Sequence, residues 1–340
     1  MSEHDALREL VQDLVGDEVP ENTADVTSLW RRFEEAGLLD VGVDEDHGGS
    51  GGTMADLAVI VETTGYFGSR VPIIETSIAR WVLAEASSTE LFTGFVTSVL
   101  VDLSEEALLK DPVAVPSVAW GHCADHVVLC PSEGRPVVIS IADTAVDVDP
   151  KLDLARSPSD TVSLGHGSAR VVLEHAPDPD TIRARFALLR AAAVSGAVRG
   201  TYELTRDYVR TREQFGAPLV KIPAVASGIA TIRTKVLEAD AALQTALPDL
   251  SGQNLEVRVS SAFAARVVAA RCATECARLA HQLHGALGTT SEYPLHRFTT
   301  ALWAWRDADL PEPEWARMLG ERVLAAGEAG IWAEIGASAT

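Results

Sequence analysis

The sequence is poor in basic residues and in long apolar runs, and each shortage excludes a class of protein. Only 28 Lys and Arg stand against 49 Asp and Glu, a formal net charge of −21. That balance argues against a nucleic-acid or anionic-membrane partner, because both require a basic face. No apolar run reaches the roughly 18–20 residues that span a bilayer. The first residues have no basic n-region and no apolar h-region, so we expect a cytoplasmic protein without a signal peptide.

Cysteine is also scarce, and its positions do not form a metal site. The four cysteines are Cys123, Cys130, Cys272 and Cys276. A chain of 340 residues buries a large core and needs no disulfide or metal to fold. Cys272 and Cys276 resemble zinc ligands when read together with His281 and His284. Those four residues span about 18 Å of one helix, so they cannot surround one ion. We predict buried thiols and no metal.

Hydrophobic periodicity divides the chain into a helical part, a strand-rich part and a second helical part. The predicted domains are residues 1–95, 96–178 and 179–340. Predicted helices cover 27–39, 53–68, 73–86, 178–216, 222–247, 254–288, 295–307 and 312–335. Predicted strands lie within 96–103, 117–130, 135–148 and 168–175. Thr53 and Asp56 form a capping box at one helix start. The pattern predicts a mostly α protein with a small β sandwich or barrel at its centre.

General catalytic motifs are missing. The loop HGGSGG at 47–52 has no following Lys and no preceding strand, so a helix connector is preferred to a nucleotide site. Neither Gly-x-Ser-x-Gly nor His-Glu-x-x-His occurs. Residues 183–212 carry seven arginines and only two acids, Glu203 and Asp207. This segment is either a local anion site or a solvated helix face, and both interpretations remain open.

Two later segments carry a specific resemblance. Arg210-Thr211-Arg212-Glu213-Gln214-Phe215-Gly216 ends the long helix, and Gln282-Leu283-His284-Gly285-Ala286-Leu287-Gly288 precedes Glu292-Tyr293-Pro294. Together with residues 29–65, they resemble the acyl-CoA dehydrogenase family over nearly the whole chain. The resemblance implies the fold of that family: an N-terminal helical domain, a small β-barrel or sandwich, and a C-terminal four-helix bundle.

The resemblance also implies FAD as cofactor and an acyl-CoA as substrate. In the family, the arginine that matches Arg212 contacts the FAD pyrophosphate of a neighbouring subunit, which suits a planar guanidinium fork. The implied cofactor-binding residues are Arg212, Gln214, Phe215, Gln282, Gly285 and Gly288. Arg183 and Arg185 are candidates for the phosphates of CoA, or else they lie on a solvated helix start. The implied partners are an electron-transfer flavoprotein or similar acceptor and further dehydrogenase chains in a homo- or hetero-oligomer.

The sequence departs from the family where the catalytic base is expected. That base is a glutamate in a Tyr-Glu-Gly-Thr segment, and the matching position is Asp309, seventeen residues after Glu292. Asp307 matches if the alignment slips by two residues. In other members the base lies near the start of the long helix, where this chain has Phe186. Ile222-Pro223 replaces a common Phe-Gln pair, and Ala286 replaces a glycine.

Two functions follow from these departures. In the first, the chain is a self-sufficient flavoenzyme that oxidises an acyl-CoA to the 2,3-enoyl-CoA, with Asp309 or Asp307 as the carboxylate that removes the α-proton. In the second, the chain is a base-deficient subunit of a heteromeric α2β2 dehydrogenase and completes the FAD site of its partner with Arg212 and Gln282. The sequence leaves the acyl group open.

Overall fold

The structure is a computed structural model that describes residues 3–16, 23–92, 94–110, 112–249 and 255–337. The predicted order of helices, strands and helices is confirmed. The helices are α1 (Glu3–Val15), α2 (Thr23–Glu35), α3 (Met54–Tyr66), α4 (Ile73–Glu85), α5 (Glu105–Leu108), α6 (Pro179–Thr211), α7 (Pro223–Asp249), α8 (Leu255–His284), α9 (Leu295–Asp307) and α10 (Glu312–Ala337). In the described ranges, no helix is both long and apolar enough to cross a membrane.

The strands form two main sheets and one short hairpin. They are β1 (Val96–Leu100), β2 (Val113–Ala119), β3 (His126–Cys130), β4 (Val137–Ser140), β5 (Val146–Asp149), β6 (Ser159–Leu164), β7 (Val171–Val172), β8 (Glu213–Gln214) and β9 (Ala217–Pro218). One sheet has the order β1-β3-β4-β7, with β1 and β3 parallel, and the other has the order β2-β6-β5. Strands β8 and β9 pair antiparallel just after α6.

The strand prediction was wrong in two places. Strand β6 was missed because Ser159, Asp160 and Thr161 hide its alternation, although Asp160, Val162 and Leu164 are buried. The Asp160 carboxylate can be buried because it accepts hydrogen bonds from the His122 ring (2.8 Å) and from backbone amides. Segment 117–130, predicted as one strand-rich run, breaks into β2 and β3 at Trp120, whose φ is 57°. The division into three domains stays a prediction.

The chain forms two compact units. Unit 1 comprises Met1–Ile60 and Arg70–Phe186. At its core is α4, in which every residue from Ile73 to Ala84 is buried. Trp30 donates to Thr76 on α4 (3.2 Å) and contacts the ring of Phe95 at 4.5 Å between centroids. The predicted capping box forms at the start of α3, because the Thr53 amide donates to Asp56 and the Asp56 amide donates to the Thr53 hydroxyl.

Unit 2 comprises Val61–Ser69 and Ala187–Thr340. Helix α6 meets the end of α3 through glycines at van der Waals distance. A Cβ atom on Gly196 would lie 1.9 Å from the Glu62 carbonyl oxygen, and one on Gly200 would lie 2.3 Å from that of Tyr66. Only glycine allows the two backbones to approach so closely. This contact fixes the position of α6, which carries site residues at both of its ends.

Candidate functional site

The segment after α6 is an exposed hairpin that presents three of the predicted cofactor residues. Arg212, Gln214 and Phe215 are all exposed, Phe215 by 94%. Phe215 and Gly216 have φ of 54° and 80°, the positive values that a two-residue type I′ turn requires. An aromatic ring that is 94% exposed buries almost no apolar surface against the described residues, and its positive φ is unfavourable for phenylalanine. The hairpin therefore has the character of a surface that contacts another molecule.

The Arg212 guanidinium is available to an anion. Among the residues that the structure describes, no carboxylate forms an ion pair with it, whereas Arg206 on the same helix pairs with Asp207 at 2.9 Å. The Arg212 backbone is held by hydrogen bonds to the Tyr208 carbonyl oxygen and from the Leu219 amide, both at 2.8 Å. Because the Arg212 backbone is fixed and its guanidinium has no ion pair with a described carboxylate, this side chain is suited to bind a phosphate group.

A stack of three rings joins the end of α6 to the end of α8. Tyr208 lies flat against His284, with ring centroids 4.3 Å apart, and Tyr293 contacts both rings. The His284 Nδ1 donates to the Ala280 carbonyl oxygen at 2.8 Å, and burial lowers the pKa of His284, so the ring is neutral. Sequence reasoning missed this cluster; the signal available was Tyr208, one helical turn before Arg212.

The stack brings the two predicted cofactor segments to the same end of unit 2. Gln282 lies two residues before His284 and is exposed. Gly285 is also exposed, with φ of 61°, and a Cβ atom there would meet nothing within 4 Å. Its backbone is therefore open to a ligand. Gly288 differs, because a Cβ atom there would lie 2.8 Å from His284 Cβ, so this glycine accommodates packing within the chain.

The two predicted base residues lie elsewhere: Asp307 is the last residue of α9, and Asp309 is in the link between α9 and α10. The Asp307 side chain is 47% exposed and pairs with Arg306 at 2.6 Å. The Asp309 side chain is only 7% exposed and accepts two hydrogen bonds from Arg190, at 2.9 and 3.0 Å. Both oxygens of Asp309 are therefore engaged by a buried guanidinium.

A second buried arginine holds the same link. Arg266 is fully buried, and its Nη2 atom donates to the carbonyl oxygens of Trp305, Arg306 and Ala308 at 2.8–3.1 Å. These carbonyls lie at the C-terminal end of α9, where they have no helical donor. Burial lowers the pKa of Arg266 to about 10, against the opposing attraction of Asp309. Sequence reasoning did not single out Arg266. Its position in the apolar run AFAARVVAA would have indicated a buried arginine.

Helix α6 separates the two groups of site residues. Arg190, which binds Asp309, lies within α6, and Arg212 is the first residue after this helix. The two are twenty-two residues apart, about 33 Å at a rise of 1.5 Å per residue. The cofactor segments and the candidate bases of this chain therefore do not meet in one site within unit 2.

The cysteines play no part in these groups. Cys272 and Cys276 are buried on α8, and burial raises the pKa of the Cys272 thiol to about 12. Throughout the described ranges, no three His, Cys, Asp or Glu residues are placed to hold a metal ion.

Comparisons with known proteins agree with the motifs. The model of the acyl-CoA dehydrogenase C-terminal domain matches residues 182–306, and that of the N-terminal domain matches residues 1–98. The acyl-CoA dehydrogenase IpdE2 of Mycobacterium tuberculosis is 28% identical over 275 residues, which cover 80% of this chain and 79% of IpdE2.

Two solved structures share the fold. The ChsE4-ChsE5 complex from Mycobacterium tuberculosis matches with a TM-score of 0.81 at 21% identity, over 94% of this chain and 97% of that chain. A variant of the Tcur3481-Tcur3483 steroid ACAD matches with a TM-score of 0.84 at 21% identity, over 96% and 99%. The resemblance read from the motifs is confirmed, and the chain belongs to the acyl-CoA dehydrogenase family of flavoprotein oxidoreductases.

Proposed function

We propose that this chain is a subunit of a heteromeric, FAD-dependent acyl-CoA dehydrogenase and completes the cofactor site of a partner that supplies the catalytic base. The reaction oxidises an acyl-CoA to the 2,3-enoyl-CoA. The observation that carries this proposal is the engagement of Asp309 by Arg190. A base must offer a lone pair to the α-proton, and a carboxylate held at both oxygens by a guanidinium is poorly suited to do so.

The exposed cofactor segments support the same proposal. Arg212 and Gln282 lie at the far end of α6 from Asp309, so they would act on a cofactor site shared with another chain, which is required of a heteromer and is equally compatible with a homomer. Two structural relatives are named for two chains each, the ChsE4-ChsE5 complex and the Tcur3481-Tcur3483 steroid ACAD. A heteromer of that kind would give this chain an accessory role.

The residues fit FAD. Arg212 would hold the pyrophosphate, and Gln282 and the open backbone at Gly285 would lie against the cofactor. FAD supplies the acceptor for the β-hydride when it is bound. The stack of Tyr208 and His284 would fix the distance between the two segments. We propose an electron-transfer flavoprotein or a similar protein as the electron acceptor.

A self-sufficient dehydrogenase is the second candidate, and the burial of Asp309 favours it. The Asp309 side chain is only 7% exposed, so it is shielded from water, as a carboxylate base in a dehydrogenase site has to be. In this mechanism, substrate binding would have to displace the guanidinium. The assignments of Asp309 and Asp307 as bases stay predictions.

One experiment separates the two candidates. The chain is purified alone and together with a dehydrogenase chain encoded beside it, and FAD absorbance, light-scattering mass and acyl-CoA turnover with an artificial acceptor are measured. We expect turnover only from the complex, with Asp309→Asn and Asp307→Asn complexes matching the parent. If the chain alone turns over and Asp309→Asn slows it by about 10²–10⁴-fold, the self-sufficient enzyme is correct.

A further inference from the structure

Arg185 is a half-buried arginine in the second turn of α6, within unit 1. Its guanidinium lies 4.4 Å from the centroid of the Trp81 ring, and its Nη2 atom donates to the Gly42 carbonyl oxygen at 3.2 Å. Its Nε atom is inaccessible and has no hydrogen-bond acceptor. Among the described residues, no carboxylate forms an ion pair with Arg185.

Neighbouring arginines of the same unit do have anionic partners. Arg80, one residue before Trp81, donates to both oxygens of Asp40 at 2.9 Å and to Glu34 at 2.5 Å. Arg183, two residues before Arg185, pairs with Asp180 at 2.8 Å. Arg185 therefore differs from two arginines in similar surroundings, although the same unit contains many acids.

An uncompensated buried cation is costly, and something must offset that cost. The aromatic face of Trp81 and one carbonyl oxygen offset part of it. Burial lowers the pKa of Arg185 to about 9, and the more distant Glu85 opposes this change. Since a guanidinium keeps its proton in proteins, the site remains positive. An arriving anion would gain a charge-assisted pair in a partly dry environment.

We propose that Arg185 binds a carboxylate carried by the acyl group of the substrate, so that the chain recognises CoA thioesters of dicarboxylic or otherwise carboxylated acids. This inference rests on the proposed function. It is consistent with the sequence position of Arg185, next to Phe186, where the resemblance places the base of some members.

A carboxylate suits the surroundings better than a phosphate. Trp81 is 9% exposed and belongs to a helix that is buried along its length, so a doubly charged group would lose more hydration there. Glu85 would also repel a dianion more strongly than a monoanion. Because Nε is inaccessible and Nη2 already donates to Gly42, a carboxylate would bind at the outer Nη edge of the guanidinium.

The test compares CoA thioesters matched in chain length, with and without a terminal carboxylate. The pairs are glutaryl-CoA with pentanoyl-CoA, adipoyl-CoA with hexanoyl-CoA, and suberoyl-CoA with octanoyl-CoA. Binding is measured by titration calorimetry on the full-length chain, in complex with its partner chain if the two purify together. The variants are Arg185→Met, Arg185→Lys and, as the matched control on the same helix, Arg183→Met.

We expect the parent to bind the carboxylated member of at least one pair about 10–100-fold more tightly. Arg185→Met should abolish that preference, Arg185→Lys should keep part of it, and Arg183→Met should keep all of it. Arg185→Met should be no less stable to urea than the parent, because the substitution removes a charge that is buried without a partner.

Four results would overturn the inference, and they differ from one another. If all thioesters bind without preference for the carboxylate, the inference fails and the proposed function stands. If Arg185→Met weakens CoA itself as much as every thioester, the guanidinium serves a phosphate. If the complex of this chain with its partner chain binds no thioester at all, the proposed function fails as well. Loss of stability in Arg185→Met without a change in ligand preference would assign the residue a structural role.

Discussion

The guanidinium of Arg190 donates to both carboxylate oxygens of Asp309, a residue 119 positions later in the chain. Their side chains are 5% and 7% exposed. The pair joins the middle of α6 to the link between α9 and α10, and Arg266 holds the backbone of that link from another side. Asp309 itself has φ of 66°, a conformation that asparagine and aspartate tolerate best. The link is thus held by contacts on both side chain and backbone.

Asp309→Asn should lower the free energy of unfolding by about 3 kcal/mol, because it leaves the Arg190 charge buried without a counter-charge. Asp307→Asn is the matched control, and since Asp307 is 47% exposed it should change stability by less than about 1 kcal/mol. Urea unfolding of both variants measures the difference. Unchanged stability of Asp309→Asn together with lost turnover would instead indicate a catalytic base.

Arg212→Ala should weaken FAD binding by about 10–100-fold in the assembled protein, because one partner of a charge-assisted bond is removed. Arg210→Ala is the control, since Arg210 is equally exposed but lies two residues away on another helix face. The flavin absorbance that remains after gel filtration gives the result. Equal retention of flavin by parent and Arg212→Ala would refute the phosphate role of Arg212.

Gly196→Ala should destabilise the protein by at least about 2 kcal/mol, because a Cβ atom there would overlap the Glu62 carbonyl oxygen at 1.9 Å. Gly320→Ala, in the middle of α10, has nothing within 4 Å and should be neutral or stabilising by about 0.5–1 kcal/mol. Thermal unfolding compares the two substitutions. Similar effects at both sites would mean that α6 and α3 do not pack closely at Gly196.

Asp56→Asn should lower stability near neutral pH by about 1 kcal/mol, since it weakens the cap at the start of α3. Burial raises the pKa of Asp56, but hydrogen bonds from Thr53 and the nearby His4 outweigh burial and lower the pKa below its ordinary value of 3.8. Because the pKa of Asp56 is lower in the folded state, its carboxylate stabilises the fold above pH 3.8. This stabilisation disappears as the pH falls through the pKa of the folded state.

The direction of this pH dependence is tested by measuring the free energy of unfolding of the parent and of Asp56→Asn at pH 7, 5 and 3. The difference between them should be constant at pH 7 and 5 and should shrink at pH 3. A His4→Ala variant serves as control, because it removes the ring that lies 3.0 Å from Asp56 and leaves the cap itself. A difference that grows on acidification would contradict the assignment.

Local signals in the sequence were sufficient for the family and for eight of the ten α-helices in the described residues, all but α1 and α5. The apolar spacing of residues 222–247 predicts a helix that the structure has at Pro223–Asp249, and the Thr53–Asp56 capping box forms as predicted. These features depend on neighbours within one or two turns, so periodicity and capping chemistry describe them. The motifs around Arg212 and Gln282 carry the resemblance for the same reason: each is a short contiguous segment.

Tertiary structure alone decided which charges are paired. The count from Glu292 selects Asp309, but its partner Arg190 is on another helix, and no spacing rule connects them. Likewise, Arg183 and Arg185 look alike in sequence, yet one meets Asp180 and the other lies on Trp81 without a carboxylate. A buried charge is governed by the groups that packing brings within a few ångströms of it. Those groups are distant in the chain, so the pattern along the sequence does not contain them.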